Sequence, residues 1–511
     1  MGMENIKHVV VVMMENRSLD NLLGWLYADT GNRPPANLPP QDPPTFDGLV
    51  PDTFFNQLDA AGSPRVFATR PPRAWPPACP NAHQVPTPDP HEEFEYVTGQ
   101  LFGQATPAFG VPPAMSGFLQ NYATTPAGPA CADQIMETYG PAEAGVINAL
   151  ARNFAVCDRW FASAPTQTWP NRGFVHTGSS DGHINNENYE PYTNPTIFNV
   201  LSAQGRSWEV FHDTTYVPSL THLQFSQLWL ETDHFHEFPE FKRRCAAQAT
   251  AGPGEKLPAY SFVEPRFVPE PGEWWRLFWP YYPSDYHPPH NVLRGERFLA
   301  DVYHAVRASP YRDDILLVVT FDEHGGCYDH VPPPWGSVAP EPGPVAVKNG
   351  FPFDRFGVRV PTILISSYLS PGTVFREEPG QTPYDHASIL ATLRDWLQLD
   401  AVPGAFLPSP RIQHAPTLDR VLTRPAADKL TDWPSITAPF RLLWRDTSSA
   451  YHLSGLQQGL LAHMKRQDTG TEKTQVQHFA ETSGTMLNYD QALRYLKTRT
   501  RHQFGFKPTQ P

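Results

Sequence analysis

Apolar residues in this chain gather in short unbroken runs, and several of those runs stop on acids or histidines. Residues 9–14 read VVVVMM and pass straight into Glu15-Asn16-Arg17, and residues 315–321 read ILLVVTF and pass into Asp322-Glu323-His324-Gly325-Gly326. The run WEVF at 208–211 ends on His212-Asp213, and further β-rich runs fall at 154–162, 260–263 and 361–366. Between some of them the apolar spacing changes to three and four. Leu299, Val302, Tyr303 and Val306 share one face of 296–306, and Ile389, Leu390, Leu393, Trp396 and Leu397 share one face of 388–397. Strands alternating with helices predict an α/β sandwich around a mostly parallel central sheet. In such sheets ligands gather beyond the carboxyl ends of the strands, where Glu15, Asp322 and His212 would emerge. Charged groups converging there repel unless a cation or a charged substrate holds them together.

Composition adds loops and removes some functions. Segments rich in Pro, Asn and Asp occupy 30–52, 70–92, 264–291 and 331–358, and 58 of the 511 residues are proline. That share is double the ordinary value of about 5% and predicts long, stiffened loops, which are more often functional than idle. Beyond about residue 425 charges become denser and LNYDQALRYLKTRTRHQF predicts a terminal amphipathic helix. We therefore expect a catalytic domain over 1–425 and a C-terminal extension over 426–511. The net charge of -13 argues against a general nucleic-acid binder, which needs a cationic face. Cys79, Cys131, Cys157, Cys245 and Cys327 form no CxxC pair, so a structural zinc knot is not expected. No apolar run approaches the roughly 20 residues of a membrane span, and no basic leader precedes the first strand. The expectation is a cytoplasmic protein or one exported without a cleaved leader. The basic tail reads as a solvated helix face, with contact to an anionic lipid surface as the alternative.

The stretch APTQTWPNR, 164–172, follows a predicted strand and places Pro170 where a helix can open. Thr168 at that point is either a helix cap or a nucleophile, and helix N-termini attract phosphate. To attack phosphorus its hydroxyl must lose a proton, which needs a base or a metal cation. SDYHPPHNVLRGERF brings Asp285, His287 and His290 just before a helix, and the Pro-Pro spacer holds the two histidines stiffly, as suits a ligand or a general acid. TPYDHAS, with Asp385 and His386 at a helix start, is a weaker candidate that serves equally well to orient the helix.

Taken together, VVVVMMENRSLDNLLGW, FASAPTQTWPNRGFVHTG, DYHPPHNVLRGERFL, VVTFDEHGGCYDHVPPP and PYDHASILATLRDWL resemble the motif series of the bacterial phosphoesterases. That family groups phospholipases C that prefer phosphatidylcholine with an acid phosphatase, on an alkaline phosphatase-like fold. The resemblance spans about residues 5 to 420 and leaves the last 85 or so outside it. It implies that Thr168 is the nucleophile and that Glu15, Asn16, Asp322 and Glu323, with the Thr168 hydroxyl, form a metal shell. It also implies that His287 faces the leaving group and that His91 and His212 contact phosphate. His290, Asn171 and Arg172 lie within the motifs and are expected at the substrate without a unique role. The implied mechanism is a two-step displacement through a phosphothreonine, with a divalent cation and histidines offsetting charge on the nonbridging oxygens. An oxygen-rich shell suits Ca²⁺ or Mg²⁺ and leaves iron and zinc open.

The substrate expected first is a phospholipid, cleaved to diacylglycerol and a phosphorylated head group. GEWWRLFWPYYPSDYH sets Trp274, Trp275, Trp279, Tyr281 and Tyr282 before the histidine pair, and aromatic faces attract a quaternary ammonium. Trp274 and Trp279 are the head-group candidates, with core or loop packing as the alternative. An acid phosphatase-type phosphomonoesterase would use the same site. A sulfatase is discounted, because its C/S-x-P-x-R core starts from a Cys or Ser where this chain has Thr168. A non-catalytic lipid- or choline-binding protein is the competing class.

Overall fold

Every position of His8–Met14 and of Ile315–Phe321 is buried. A strand so placed is covered on both faces of its sheet, which is why these runs are apolar without alternation. The computed structural model describes residues 2–59, 62–70, 82–103, 107–186, 191–271, 281–341 and 350–440, with a few further positions between 453 and 496. Its strands, in chain order, are β1 (His8–Met14), β2 (Ala36–Leu38), β3 (Phe55–Asn56), β4 (Val66–Phe67), β5 (Ala155–Cys157), β6 (Trp208–His212), β7 (Phe235–Glu237), β8 (Tyr260–Glu264), β9 (Ile315–Phe321), β10 (Thr362–Ile365) and β11 (Thr373–Phe375). β3 and β4 form a separate antiparallel pair, and the others form one 9-stranded sheet in the order β2-β11-β5-β10-β9-β1-β8-β6-β7. All of its strands run the same way except β10, which is antiparallel to both β9 and β5. β10 starts at the edge where β9 ends, so the chain re-enters the sheet from its carboxyl side.

The α/β sandwich with a mostly parallel sheet is thus present. The run at 154–162 forms a strand only over Ala155–Cys157, and three-residue β2, β7 and β11 are too short to leave a periodic signal. The helix expected at 296–306 spans Val292–Arg307, starting earlier because the Asn291 side chain accepts from Leu293 N at 3.1 Å. The helix expected at 388–397 spans Ala387–Leu397.

Register sets the site. β1 pairs with β9 so that Met14 lies beside Phe321, and Glu15 and Asp322 therefore step off neighbouring strands at the same level. On the other side β8 pairs with β6 so that Glu264 lies beside His212, two strands from β1. The C-terminal extension shares the core of the sheet. Trp433, Leu460, Leu461, Met464, Tyr495 and Leu496 belong to the same apolar cluster, and Trp433 packs on Phe154 with ring centroids 5.2 Å apart. Of the expected terminal helix, Ala492, Leu493, Tyr495 and Leu496 are helical, and the rest lies outside the described residues.

Candidate active site

Thr168 is the first residue of helix Thr168–Thr177 and is fully buried. The turn that presents it is tied down by Asn171. The Asn171 Oδ1 accepts from Ala164 N at 3.1 Å, and its Nδ2 donates to the carbonyls of Ala164, Thr166 and Gln167 at 3.2, 2.9 and 3.2 Å. Asn171 was expected at the substrate, but its amide is spent on the backbone of this turn. Asn186 braces the turn from outside. Asn186 N donates to Gln167 Oε1 at 2.8 Å and Trp169 N to Asn186 Oδ1 at 2.9 Å.

The Thr168 hydroxyl donates to Asn16 Oδ1 at 3.3 Å. Asn16 adopts a left-handed φ of 53°, a conformation asparagine tolerates better than most residues. Its backbone N donates to Asp322 Oδ1 at 3.3 Å. The glycine in DEHGG permits this approach, since a Cβ on Gly325 would lie 2.4 Å from the Asn16 carbonyl oxygen. Sequence therefore brings β1 and β9 to one point and removes the side chain that would hold them apart.

Glu15, Asp322 and Glu323 are buried together with one guanidinium. Arg172 donates from Nε to Asp322 Oδ2 at 3.2 Å, and its Nη2 is 3.5 Å from Glu15 Oε1. Its Nη1 stands 4.0 Å from Glu264 Oε1, and Phe267 covers its face at 4.9 Å. Arg172 was also expected at the substrate. It lies instead inside the acid cluster as its counter-charge. One arginine does not satisfy the cluster. Burial pushes Glu15 well above the ordinary carboxylate range, Asp322 pushes it further and Arg172 opposes. Burial raises Glu323 well above that range too, with Glu92 and then Asp322 adding, and burial raises Asp322 against the pull of Arg172.

His287 is fully buried, with Nδ1 3.5 Å from Asp89 Oδ1 and Nε2 3.6 Å from Glu92 Oε2. Burial disfavours its charged form, yet Asp89, Glu92 and Glu15 outweigh burial and hold its pKa well above the usual histidine value. Glu92 was missed in the sequence. Its Oε2 accepts from Asn16 Nδ2 at 2.6 Å and its Oε1 from Gln167 Nε2 at 3.3 Å, so it links the nucleophile turn, the β1 edge and His287. Burial opposes its ionisation, but His287 more than offsets that and its pKa is lowered. The stretch DPHEEFEYV carries the signal, acids gathered around His91 at the entrance to helix Phe94–Phe102. Asp285, also in a recognised motif, accepts from His290 Nδ1 at 2.6 Å and from His287 N at 3.0 Å.

The other candidates fall at varying distances from this centre. His290 lies behind His287, with ring centroids 5.6 Å apart, and its Nε2 is 3.1 Å from Gln457 Nε2. His91 is partly exposed and stacks on Tyr96 at 4.0 Å. His212, at the end of β6, has its Nδ1 2.7 Å from Thr214 Oγ1 and is separated from β1 by β8. His386 is inside the core, 2.6 Å from the Asp322 carbonyl oxygen through Nε2. Asp385 pairs with Arg411 at 3.2 Å and accepts from Ser163. Trp274, Trp275 and Trp279 lie outside the described residues. Tyr281 and Tyr282 each already have an arginine over one face, Arg266 at 4.8 Å and Arg294 at 4.5 Å.

A cation fits the acid cluster on chemical grounds. Both carboxylate oxygens of Glu15 and Oε1 of Glu323 are buried without a hydrogen-bond partner. An unpartnered buried carboxylate is costly, and a hard divalent ion takes such oxygens as ligands. Among the described residues the acid and histidine groups whose ligand atoms lie within 4.8 Å of one another are Asp89–Glu92–His287 and Asp20–Asp329–His330. Glu15, Asp322 and Glu323 are spread more widely, with Arg172 between Glu15 and Asp322.

Comparison with known proteins adds to this geometry. The Phosphoesterase family model matches residues 6–400. Non-specific phospholipase C4 of Arabidopsis thaliana is 34% identical over 90% of this chain and 79% of its own length. Non-specific phospholipase C3 of the same plant is 33% identical over 85% of this chain and 76% of its own. Among solved structures, a protein in the alkaline phosphatase superfamily from Vibrio parahaemolyticus is 14% identical, with a TM-score of 0.31 over 55% of this chain and 64% of that one.

Proposed function

The chain belongs to the Phosphoesterase family, and from that premise we propose that it is a phospholipase C that cleaves phosphatidylcholine-like lipids to diacylglycerol and a phosphorylated head group. It is a phosphoric ester hydrolase. The observation that carries the reading is the Thr168 hydroxyl, buried at a helix N-terminus and bonded to Asn16, in an acid cluster where both Glu15 oxygens and Glu323 Oε1 lack a hydrogen-bond partner. The relatives named above supply the lipid.

Thr168 Oγ1 attacks phosphorus as its hydroxyl proton passes to solvent, the bond from phosphorus to the glycerol oxygen breaks, and His287 gives its own proton to that departing oxygen. Its raised pKa, set against burial by Asp89, Glu92 and Glu15, keeps the imidazole charged and so supplied with the proton. Water then attacks the phosphothreonine, returning one proton to His287 and one to Thr168, and the phosphorylated head group leaves. Asn16 fixes the direction of the hydroxyl, and Asn171 fixes the turn from which it projects. A divalent cation held by Glu15, Asn16, Asp322, Glu323 and the Thr168 hydroxyl would lower the pKa of that hydroxyl and offset charge on the phosphoryl oxygens. The lipid substrate places the protein's work at a bilayer surface, and no helix among the described residues is long and apolar enough to cross one.

The test is a side-by-side assay of the purified full chain on phosphatidylcholine vesicles and on p-nitrophenyl phosphate, across Ca²⁺, Mg²⁺, Fe and Zn²⁺. Release of diacylglycerol faster than hydrolysis of the monoester is expected. Preference for the monoester would move the chain to the acid phosphatase type. Turnover of neither, with any ion, would leave a lipid- or choline-binding protein.

A further inference from the structure

The residue before His287 has an unusual backbone. Tyr286 has a φ of 77° and is completely buried. A large side chain in the left-handed region is a conformational outlier, and it persists only where its surroundings hold it. The hold here comes from several directions. The Tyr286 hydroxyl donates to Glu296 Oε1 at 2.6 Å, and its carbonyl accepts from Arg17 Nε at 2.8 Å. Its ring packs on Phe321, the last residue of β9, at 5.3 Å. The ring also lies against the backbone of helix Val292–Arg307, where a Cβ on Gly295 would come within 2.3 Å of Tyr286 Cδ2.

Glu296 is itself anchored. It is buried on the same helix and accepts from Val146 N at 2.5 Å and from Ile147 N at 3.1 Å, the first turn of helix Gly145–Asn153. That helix has no side-chain cap from its own N-cap residue, so Glu296 serves its free amides from outside. One carboxylate thus ties two helices to the phenol of Tyr286. On either side of Tyr286 the chain meets the site. The Asp285 carbonyl accepts from Glu15 N at 2.9 Å, and His287 N donates to Asp285 Oδ1 at 3.0 Å.

We propose that Glu296, Gly295 and the Tyr286 hydroxyl form a clamp that sets the position of His287 for proton transfer to the leaving group. All three are positioning residues. The proposal rests on the reading above, in which His287 is the acid. Its consequence is a dependence on the leaving group. A diacylglycerol alkoxide departs badly without a proton, whereas p-nitrophenolate departs readily without one.

The experiment compares Tyr286→Phe, Glu296→Gln and Gly295→Ala with wild type on phosphatidylcholine and on p-nitrophenyl phosphorylcholine, in the full chain with its preferred metal. For the clamp variants kcat on phosphatidylcholine should fall roughly tenfold or more with KM little changed, while kcat on the nitrophenyl ester falls less than about threefold. His287→Ala should show the same split, larger. Tyr286→Phe removes a single oxygen and keeps the ring, so it carries the test if the other two fail to fold. Equal losses on both substrates, or no loss in Tyr286→Phe, would overturn the clamp. A wild type inactive on phosphatidylcholine would instead overturn the phospholipase reading. A His287→Ala protein without the split would overturn both the acid assignment and the clamp built on it.

Discussion

Two buried acid clusters follow the same pair of strands, β1 and β9, and they differ in how their oxygens are used. In the first, Asp20 and Asp329 share Arg359. Arg359 donates from Nη2 to Asp20 Oδ1 at 3.0 Å and from Nε to Asp329 Oδ1 at 2.9 Å. His330 N and Nδ1 both reach Asp20 Oδ2 at 2.7 Å, and Asp20 N reaches Asp329 Oδ2 at 3.2 Å. Every carboxylate oxygen there has a donor. In the second, Glu15 has no hydrogen-bond partner on either oxygen and Glu323 lacks one on Oε1. Both clusters have the residue types of a metal site. Only the second leaves ligand atoms open, and only the second touches a hydroxyl that can act as a nucleophile. Residue type proposes a site, and unfilled valence distinguishes it from a closed ion pair.

The largest effect that would break this contrast is on turnover. Thr168→Ala should lower kcat on the order of 10⁴-fold or more, as loss of a nucleophile does, with melting temperature nearly unchanged. Asp329→Asn should do the reverse, sparing the kcat of the folded fraction. Steady-state kinetics beside thermal melts separate the two, and a comparable kcat loss in both would erase the distinction.

Next comes stability. Arg359→Leu strands two buried carboxylates and should cost about 3–5 kcal/mol in urea denaturation while metal content holds. Glu15→Gln should abolish metal uptake, read by elemental analysis, yet raise the stability of the chelated protein, because one of its mutually repelling acids is gone. If Glu15→Gln destabilises the chelated chain, the open cluster is a structural one.

A smaller effect follows pH. His386 accepts from Trp160 Nε1 at 3.3 Å through Nδ1 and faces the Asp322 carbonyl through Nε2, which requires the neutral ring. Burial lowers its pKa from 6.5 to about 4, with the Asp322 carbonyl opposing. The unfolded chain takes up this proton near 6.5 and the folded one only near 4, so stability rises with pH across that window. About 3 kcal/mol present above pH 6.5 should be lost as pH falls to 4. Urea midpoints at the two ends of the window should show this component in wild type and lack it in His386→Gln.

Much of the centre was legible. Strand-length apolar runs ending in Glu15-Asn16 and Asp322-Glu323 have only one place to go in a parallel sheet, and Pro170 marks the helix start beside Thr168. The support around them was not. Glu92 sits in a proline-rich loop with no period to fix its direction, and only the fold reveals that it spans Asn16, Gln167 and His287. Asn171 and Arg172 stood beside Thr168 in the motif and so read as substrate residues. On a helix, however, neighbours in sequence point to different sides, and these two turn to the Ala164–Gln167 backbone and to the buried acids.

By itself the sequence determined where the strands are buried on both faces, where each one ends, and which chemical groups stand at those ends. Local spacing decides such matters, because a run of apolar side chains can be hidden only in a few ways. The tertiary structure alone decided which of those groups are neutralised and which stay open. That depends on Arg172 and Arg359 arriving from distant parts of the chain, each to one cluster, with too few donors at one and enough at the other.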